Sequence, residues 1–505
     1  MSLSLPPDDH FNRALIERVA PSGWNNPAPK PLYDMVVVGG GTAGLVTAAG
    51  AAGLGAKVAL VERHLMGGDC LNFGCVPSKS LISAARVAAS VRGAGAFGVH
   101  TAPPEVDFAQ VMERMRRTRA GISVHDSAER FRSLGVDVFL GEGRFCAKDE
   151  LSVAGQTLRF RKAAICTGAR AVVPEWALDG SGTRLPNILT NETLFNLTEL
   201  PRRLGVVGGG PIGCEMAQTF ARFGSQVTLL DKSLRLLSRD DTDASALVRA
   251  ALQREGVDLR LATEIHSVES VSGELHVTSR SVGAETRTDR FDALLVATGR
   301  RPNIEGLGLE RAGVESTRDG IVVDDRLRTT NSRIFAAGDV CSRYKFTHAA
   351  DFLARIVIQN ALFWGRARAS RLIIPWCTYT SPEVAHVGLL PEEAAAQGIP
   401  IQTFTQPLSG VDRAVLDGDD EGFVKVHVEA GTDRIVGATI AASHAGEMIS
   451  EITLAMRNGI GLRGLAATIH PYPTQTDALR KIGDQYNRTR LSPWVKRLLG
   501  WWFGG

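Results

Sequence analysis

Between residues 35 and 340 the apolar positions come in short unbroken runs. Met35-Val36-Val37-Val38 is one such run, and residues 57–62 hold another. Runs of this length, apolar toward both faces, predict buried parallel strands. Between them, Gly39-Gly40-Gly41-Thr42-Ala43-Gly44 leads into a helix, which makes a strand–turn–helix–strand unit of about 30 residues. A second copy runs from Leu204-Gly205-Val206-Val207 through Gly208-Gly209-Gly210-Pro211-Ile212-Gly213 and a helix to a strand over 226–231. Two such units imply two dinucleotide sites. Residues 108–134 predict one long polar helix. Strands are predicted at 136–145, 158–167 and 292–299, and Ile334-Phe335-Ala336-Ala337-Gly338-Asp339 repeats the strand-then-glycine theme. From about residue 370 the pattern alternates instead. The stretches 384–388, 423–429 and 435–441 predict an antiparallel sheet, with helices at 447–458 and from Asp477 onward.

Length and charge narrow the reading. A chain of 505 residues is too long for one ordinary domain. Charge is near balance at +3, so nucleic acid is not expected as a partner. The seven cysteines, Cys70, Cys75, Cys146, Cys166, Cys214, Cys341 and Cys377, are odd in number and scattered. That is no secreted disulfide framework; it fits a reducing compartment, hence the cytoplasm. Residues 1–34 carry six prolines and no secretory pattern, and read as an arm on the surface. Residues 43–56 are apolar, but too short and too rich in Gly and Ala for a membrane span; a tightly packed helix is expected.

The glycine loops carry chemistry. Gly39 permits the tight turn, Gly41 lets backbone approach a pyrophosphate, and Gly44 lets helix pack on strand. Glu62 ends the second strand, where a carboxylate accepts from ribose hydroxyls. An ordinary βα turn would not need all of these together. Gly208, Gly210 and Gly213 repeat the logic, and there the strand ends at Asp231, which favours the unphosphorylated ribose of NADH. Lys232 and Arg235 stand close enough to meet a 2′-phosphate, so NADPH stays open. Directly after the first unit comes Gly67-Gly68-Asp69-Cys70-Leu71-Asn72-Phe73-Gly74-Cys75-Val76-Pro77-Ser78-Lys79. Two thiols with four residues between them beside a flavin site suit a redox pair, the alternative being two unrelated buried cysteines. Of the other cysteines only Cys377, in Pro375-Trp376-Cys377-Thr378-Tyr379, is kept as an accessory thiol. No metal site is expected.

The segment from Cys70 to Lys79, the two glycine loops, residues 297–302 and Ala337-Gly338-Asp339 resemble the class I pyridine nucleotide-disulfide oxidoreductases, which include dihydrolipoamide dehydrogenase, glutathione reductase and mercuric reductase. The resemblance covers about residues 35–490. It implies an α/β fold with two Rossmann-like dinucleotide-binding domains, for FAD and NAD, plus an α+β C-terminal dimerisation domain in a homodimer. The expected division is an arm at 1–34, FAD-binding parts at 35–190 and 304–370, the NAD(P) domain at 191–303, the interface domain at 371–490 and an amphipathic tail at 491–505. By resemblance, Cys70 is the interchange thiol that meets substrate and Cys75 the thiol that contacts flavin. Lys79 and Glu215 form an ion pair beside flavin N5, and Asp339 binds the ribityl-phosphate region, with His348 in the next flavin-contacting turn. Thr167, Gly168 and Gly299 are cofactor-touching turns, and Gly143 is counted with the FAD contacts.

The C-terminal motif departs from the common pattern. Where relatives place His-Pro and, five residues after the His, Glu, this chain has Ile469-His470-Pro471-Tyr472-Pro473-Thr474-Gln475-Thr476-Asp477. Tyr472 takes the histidine position and Asp477 the glutamate position. Tyrosine, with an ordinary pKa of about 10, shuttles a thiol proton poorly at neutrality. Dithiol exchange is therefore expected to be slow unless His470 bends in as the base. Tyr472 resembles mercuric reductases, but no cysteine follows Cys377, and soft Hg(II) needs thiolates at each relay point. The expected activity is electron transfer from NADH through FAD to Cys70–Cys75 and on to a small-molecule or protein disulfide. A lipoamide-type enzyme using His470, a soft-metal reductase, and a tail-anchored redox-sensing partner protein are the alternatives. The tail, with Trp494, Trp501, Trp502 and Phe503 beside Lys496 and Arg497, reads as a helix docked on the dimer or the arm, with peripheral membrane contact as the other reading.

Overall fold

A computed structural model describes residues 4–504. Five parallel strands form the first sheet in the order Val136–Leu140, Val58–Glu62, Tyr33–Val38, Gln156–Ile165, Ile334–Ala336. Met35 pairs with Val58, and Val36 with both Ala59 and Ala163. Met35 through Val37 are fully buried, which is why the run lacks alternation. An antiparallel meander, Gly143–Ala147, Glu150–Val153 and Gln156–Ile165, extends the same sheet. Helix Thr42–Gly53 packs on helix Thr347–Leu362, and its small residues permit the approach. A Cβ on Gly50 would lie 2.6 Å from Ile358 Cδ1.

The second unit repeats the theme. Its parallel order is Asp258–Arg260, Gln226–Leu230, Arg203–Val207, Ala293–Val296, Ile188–Leu189, with helix Pro211–Phe223 after the glycine loop. A three-stranded antiparallel sheet, Thr263–Val271, Glu274–Ser281 and Arg287–Phe291, is attached. The C-terminal unit is a five-stranded antiparallel sheet in the order Trp376–Thr378, Glu383–Gly388, Ile435–Ala442, Phe423–Glu429, Ile401–Pro407. Helices Ala445–Arg457, Leu462–Ala467 and Asp477–Thr489 complete it. Its core gathers Val424, Val426, Ile440, Ile449, Ile452 and Ile482.

Several expectations are corrected. The 108–134 helix is two, Phe108–Ile122 and Ala128–Ser133, because Ser127 turns to extended backbone and caps the second. The 136–145 strand is also two, broken where Gly141 takes φ +150°. The strand at 292–299 is shorter, Ala293–Val296.

Residues 1–34 are not simply a surface arm. Asp9 caps helix His10–Val19, and Leu15 and Val19 are fully buried in the first domain's core. Within that packing Arg119, itself fully buried, donates to Asn12 Oδ1 and to the Asn72 carbonyl, both at 2.7 Å. Asn72 in turn donates to the carbonyls of Met66 and Gly68. The N-terminal helix therefore braces the turn that carries Cys70. The tail forms helix Pro493–Trp502 as expected, but none of its residues is buried. Among the described residues no helix is long and apolar enough to cross a membrane.

Candidate active site

Cys70 lies in the short helix Gly68–Asn72, and Cys75 opens helix Cys75–Gly93. Gly67 and Gly68 have φ of +86° and +57°, a conformation that suits glycine. A Cβ on Gly68 would come within 2.6 Å of Gly41 Cα, so this turn is packed directly on the first glycine loop. Both cysteines are free thiols whose side chains hydrogen-bond each other.

The Cys75 sulfur also lies 3.3 Å from Thr347 Oγ1, and Thr347 opens helix Thr347–Leu362. Two helix N-termini thus converge on one sulfur and favour its anion. The hydrogen bond from Cys70, aided by Thr347 and the Lys79 charge and opposed by burial, holds the Cys75 thiol down at about 6. The contact with Cys75, with burial behind it, pushes the Cys70 thiol up. The pair is therefore asymmetric, with Cys75 the thiolate.

One helical turn after Cys75, Lys79 Nζ sits 2.7 Å from Glu215 Oε2 and 4.6 Å from the centre of the Tyr379 ring. Glu215, 5% exposed, accepts from Tyr379 N at 2.9 Å with its other oxygen. The structure thus brings Lys79 and Glu215 together as an ion pair from two domains and anchors it on a third.

The walls around this pair fit a dinucleotide. In the first loop a Cβ on Gly39 would lie 2.4 Å from Cys166 O, and one on Gly44 would lie 1.8 Å from Gly39 O. Glu62 accepts from Gly40 N at 2.5 Å and His64 N at 2.7 Å, and burial raises its pKa. Glu62, Gly143, Thr167 and Asn303 line one small cavity, and Asn303 Oδ1 is buried there without a partner.

The cavity adjoins a cleft of about 1590 Å³ lined by Gly41, Cys70, Cys75, Lys79, Glu215, Gly168, Gly338, Asp339 and His348. That exceeds the roughly 300–1,000 Å³ of ordinary ligand pockets. Arg300 bridges Asp69, at 3.2 Å, and Asp339, at 3.5 Å. Burial raises Asp339, against the pull of Arg300 and Lys345. His348 donates from Nε2 to Pro375 O at 2.6 Å and stacks on Phe346, which stacks on Trp376. Cys377 lines the same cleft, its thiol pushed up by burial.

The second loop copies the first. Gly208 has φ +113°, a Cβ on Gly213 would lie 1.8 Å from Gly208 O, and the Cβ position of Gly210 is open. Gly299 has φ +140°, beside the loop. Asp231 accepts from Gly209 N and from Ser233 N. Arg235 spends its guanidinium on the carbonyls of Asp240 and Ser238, at 2.8 Å each.

The C-terminal candidates sit apart. None of His470, Tyr472 and Asp477 lines the cleft of its own chain. Tyr472 and Asp477, at the positions of the relatives' His and Glu, do not contact each other by hydrogen bond. The Tyr472 hydroxyl donates to Asp412 Oδ2 at 2.9 Å, while Asp477 pairs with Arg480 at 2.8 Å and Lys481 at 3.5 Å. The contact with Asp412 raises the Tyr472 pKa further. His470 does not reach the cleft of its own chain either. Its ring is engaged at both nitrogens, Nδ1 with Thr468 O and Nε2 with Glu451 at 2.9 Å, and its side chain is 5% exposed.

Thr347, Asp69, Arg300, Asn303 and Asp412 were not singled out from the sequence. For Thr347 the signal was its place one residue before His348. Asp412 lies 60 residues from Tyr472, and nothing local marks it.

Comparisons with known proteins agree with this geometry. A family model for pyridine nucleotide-disulphide oxidoreductases matches residues 33–352, and one for their dimerisation domain matches residues 374–482. A mercuric reductase of Streptomyces lividans is 35% identical over 455 residues, covering 89% of this chain and 95% of its own. A dihydrolipoyl dehydrogenase of Thermus scotoductus is 34% identical over 469 residues, covering 91% and 98%. Among solved structures, the HOCl-induced flavoprotein disulfide reductase RclA of Escherichia coli, determined as a Cu(II) complex, superposes with a TM-score of 0.79. It is 30% identical, with 90% of this chain and all of that one covered.

Proposed function

The chain belongs to the pyridine nucleotide-disulphide oxidoreductase family, FAD-dependent oxidoreductases that act on sulfur groups with a nicotinamide nucleotide as electron donor, and from that premise we propose that it is an NADH-dependent reductase in which Cys75 receives the electrons and Cys70 delivers them. The observation that carries the proposal is the single sulfur of Cys75, contacted by Cys70 and Thr347 at the start of two helices and near the Lys79 charge.

The first glycine loop, Glu62, Gly143, Thr167, Asn303 and Asp339 are the residues that would hold FAD. When bound, FAD relays an electron pair from nicotinamide to sulfur. The protein's own part is protonic and positional. Lys79, fixed by Glu215 and Tyr379, keeps a positive charge near Cys75. Helix dipoles and Thr347 keep Cys75 a thiolate, so of the two sulfurs only Cys70 retains a proton. With a disulfide acceptor, Cys70, once deprotonated, attacks one sulfur and expels the other as thiolate. Cys75 then attacks Cys70, releases the second thiolate and restores the Cys70–Cys75 bond.

For the donor, Asp231 at the strand end and the engaged Arg235 favour NADH over NADPH. The loop carrying Tyr472 does not line its own cleft, and a dimerisation domain spans residues 374–482, which supports a homodimer in which each subunit lends that loop to the other. With Tyr472 and Asp412 in place of an imidazole–carboxylate pair, dithiol substrates are poorly served. That favours acceptors needing no base, and keeps a metal-ion acceptor as the second reading, in line with the names of the relatives. A screen with NADH and NADPH against lipoamide, glutathione disulfide, quinones, Hg(II) and Cu(II) tests both. Fast turnover of dihydrolipoamide by the unaltered enzyme would defeat the argument from Tyr472.

A further inference from the structure

None of residues 493–503 is buried in the fold, yet they are the most aromatic stretch of the chain. Ser492 caps the helix Pro493–Trp502, accepting from Val495 N. Trp501, Trp502 and Phe503 are 75%, 75% and 78% exposed, and Trp494, Leu498 and Leu499 are exposed as well. At about 100° per residue, Trp494, Val495, Leu498, Leu499, Trp501, Trp502 and Phe503 fall on one broad arc. Pro493, Lys496, Arg497 and Gly500 fall on the other.

A monomeric surface does not ordinarily leave such a face open. Charge selects what covers it. Residues 485–504 contain Arg488, Arg490, Lys496 and Arg497 and no Asp or Glu. A protein groove would need matching acids; an anionic bilayer offers negative charge at the level of the cations and hydrocarbon below it. Tryptophan settles at that boundary, and Lys and Arg reach from it to the headgroups. The helix is too short to cross a membrane, and no other described helix does so.

We propose that residues 493–503 form an interfacial helix that seats the protein on an anionic lipid surface, with the aromatic arc in the acyl boundary and Lys496 and Arg497 at the headgroups. This does not depend on the reading of the redox site.

The test is flotation of the full-length holoenzyme with vesicles of phosphatidylcholine alone or mixed equally with phosphatidylglycerol, with tryptophan emission as a second readout. Binding is expected to the mixed vesicles with a blue-shifted emission, to fall steeply with salt, and to be far weaker on phosphatidylcholine. Trp501→Glu/Trp502→Glu and truncation after Arg490 should abolish it. Lys496→Glu/Arg497→Glu should weaken it by about tenfold or more. NADH oxidation and elution volume without lipid should not change. The proposal is overturned if mixed vesicles do not carry the protein, if truncation leaves binding intact, or if truncation turns a dimer into a monomer, which would place the tail on a second copy.

Discussion

At the scale of single residues, the account rests on the unequal pair of thiols. Cys75 is held down at about 6, first by its hydrogen bond with Cys70 and then by Thr347 and Lys79. Its thiolate is therefore present above that pH and is lost as the pH falls through it. Reduced enzyme treated with iodoacetamide should show a Cys75 alkylation rate that rises through about pH 6. Thr347→Val removes one hydrogen bond to the anion and should move that midpoint up by roughly one pH unit; an unmoved midpoint would remove Thr347 from the site. A second expectation concerns Tyr472. Replacing it by His supplies a group that titrates near neutrality, so Tyr472→His should raise NAD-dependent dihydrolipoamide oxidation by about tenfold or more. His470→Ala should change it little, because the ring is already spent on Glu451 and Thr468.

The chemical identity of these residues was legible in the sequence, because Cys70, Cys75, Lys79 and Glu215 occupy a motif. Their partners were not. Thr347 reaches Cys75 across 272 positions and Asp412 reaches Tyr472 across 60, contacts that only the fold creates.

At the scale of elements, the two glycine loops were readable because each glycine answers a local steric demand. Gly213 is the sharpest case, since a Cβ there would lie 1.8 Å from Gly208 O. Gly213→Ala should push helix Pro211–Phe223 off its strand and cost about 1–3 kcal/mol. NADH affinity should fall by about tenfold, while the protein stays yellow, because the FAD loop at Gly39–Gly44 is a separate element. Loss of flavin in this variant would contradict the assignment of the two loops. Buried parallel strands betrayed themselves by unbroken apolar runs. Where elements were misread, the cause was a single residue that pattern alone does not weigh: Ser127 as a cap, and Gly141 at φ +150°. The N-terminal helix was missed because six prolines in 1–34 outweighed the apolar face that buries Leu15 and Val19.

At the scale of the whole molecule, three units meet at one cleft. Cys75 and Lys79 come from the first, Glu215 from the second and Tyr379 from the third, so the ion pair beside the thiolate joins the first two units and is anchored on the third. The cleft lacks the Tyr472 loop of its own chain, and sedimentation should accordingly report twice the 54.1 kDa chain mass. The most direct test of the central claim, that electrons pass from flavin to Cys75, is anaerobic titration of the holoenzyme with NADH. A long-wavelength absorption band from thiolate against flavin should grow with NADH, bleach as the pH is lowered through about 6, persist in Cys70→Ser and vanish in Cys75→Ser. A holoenzyme that shows no such band, or a Cys75→Ser variant that keeps it, would contradict the account.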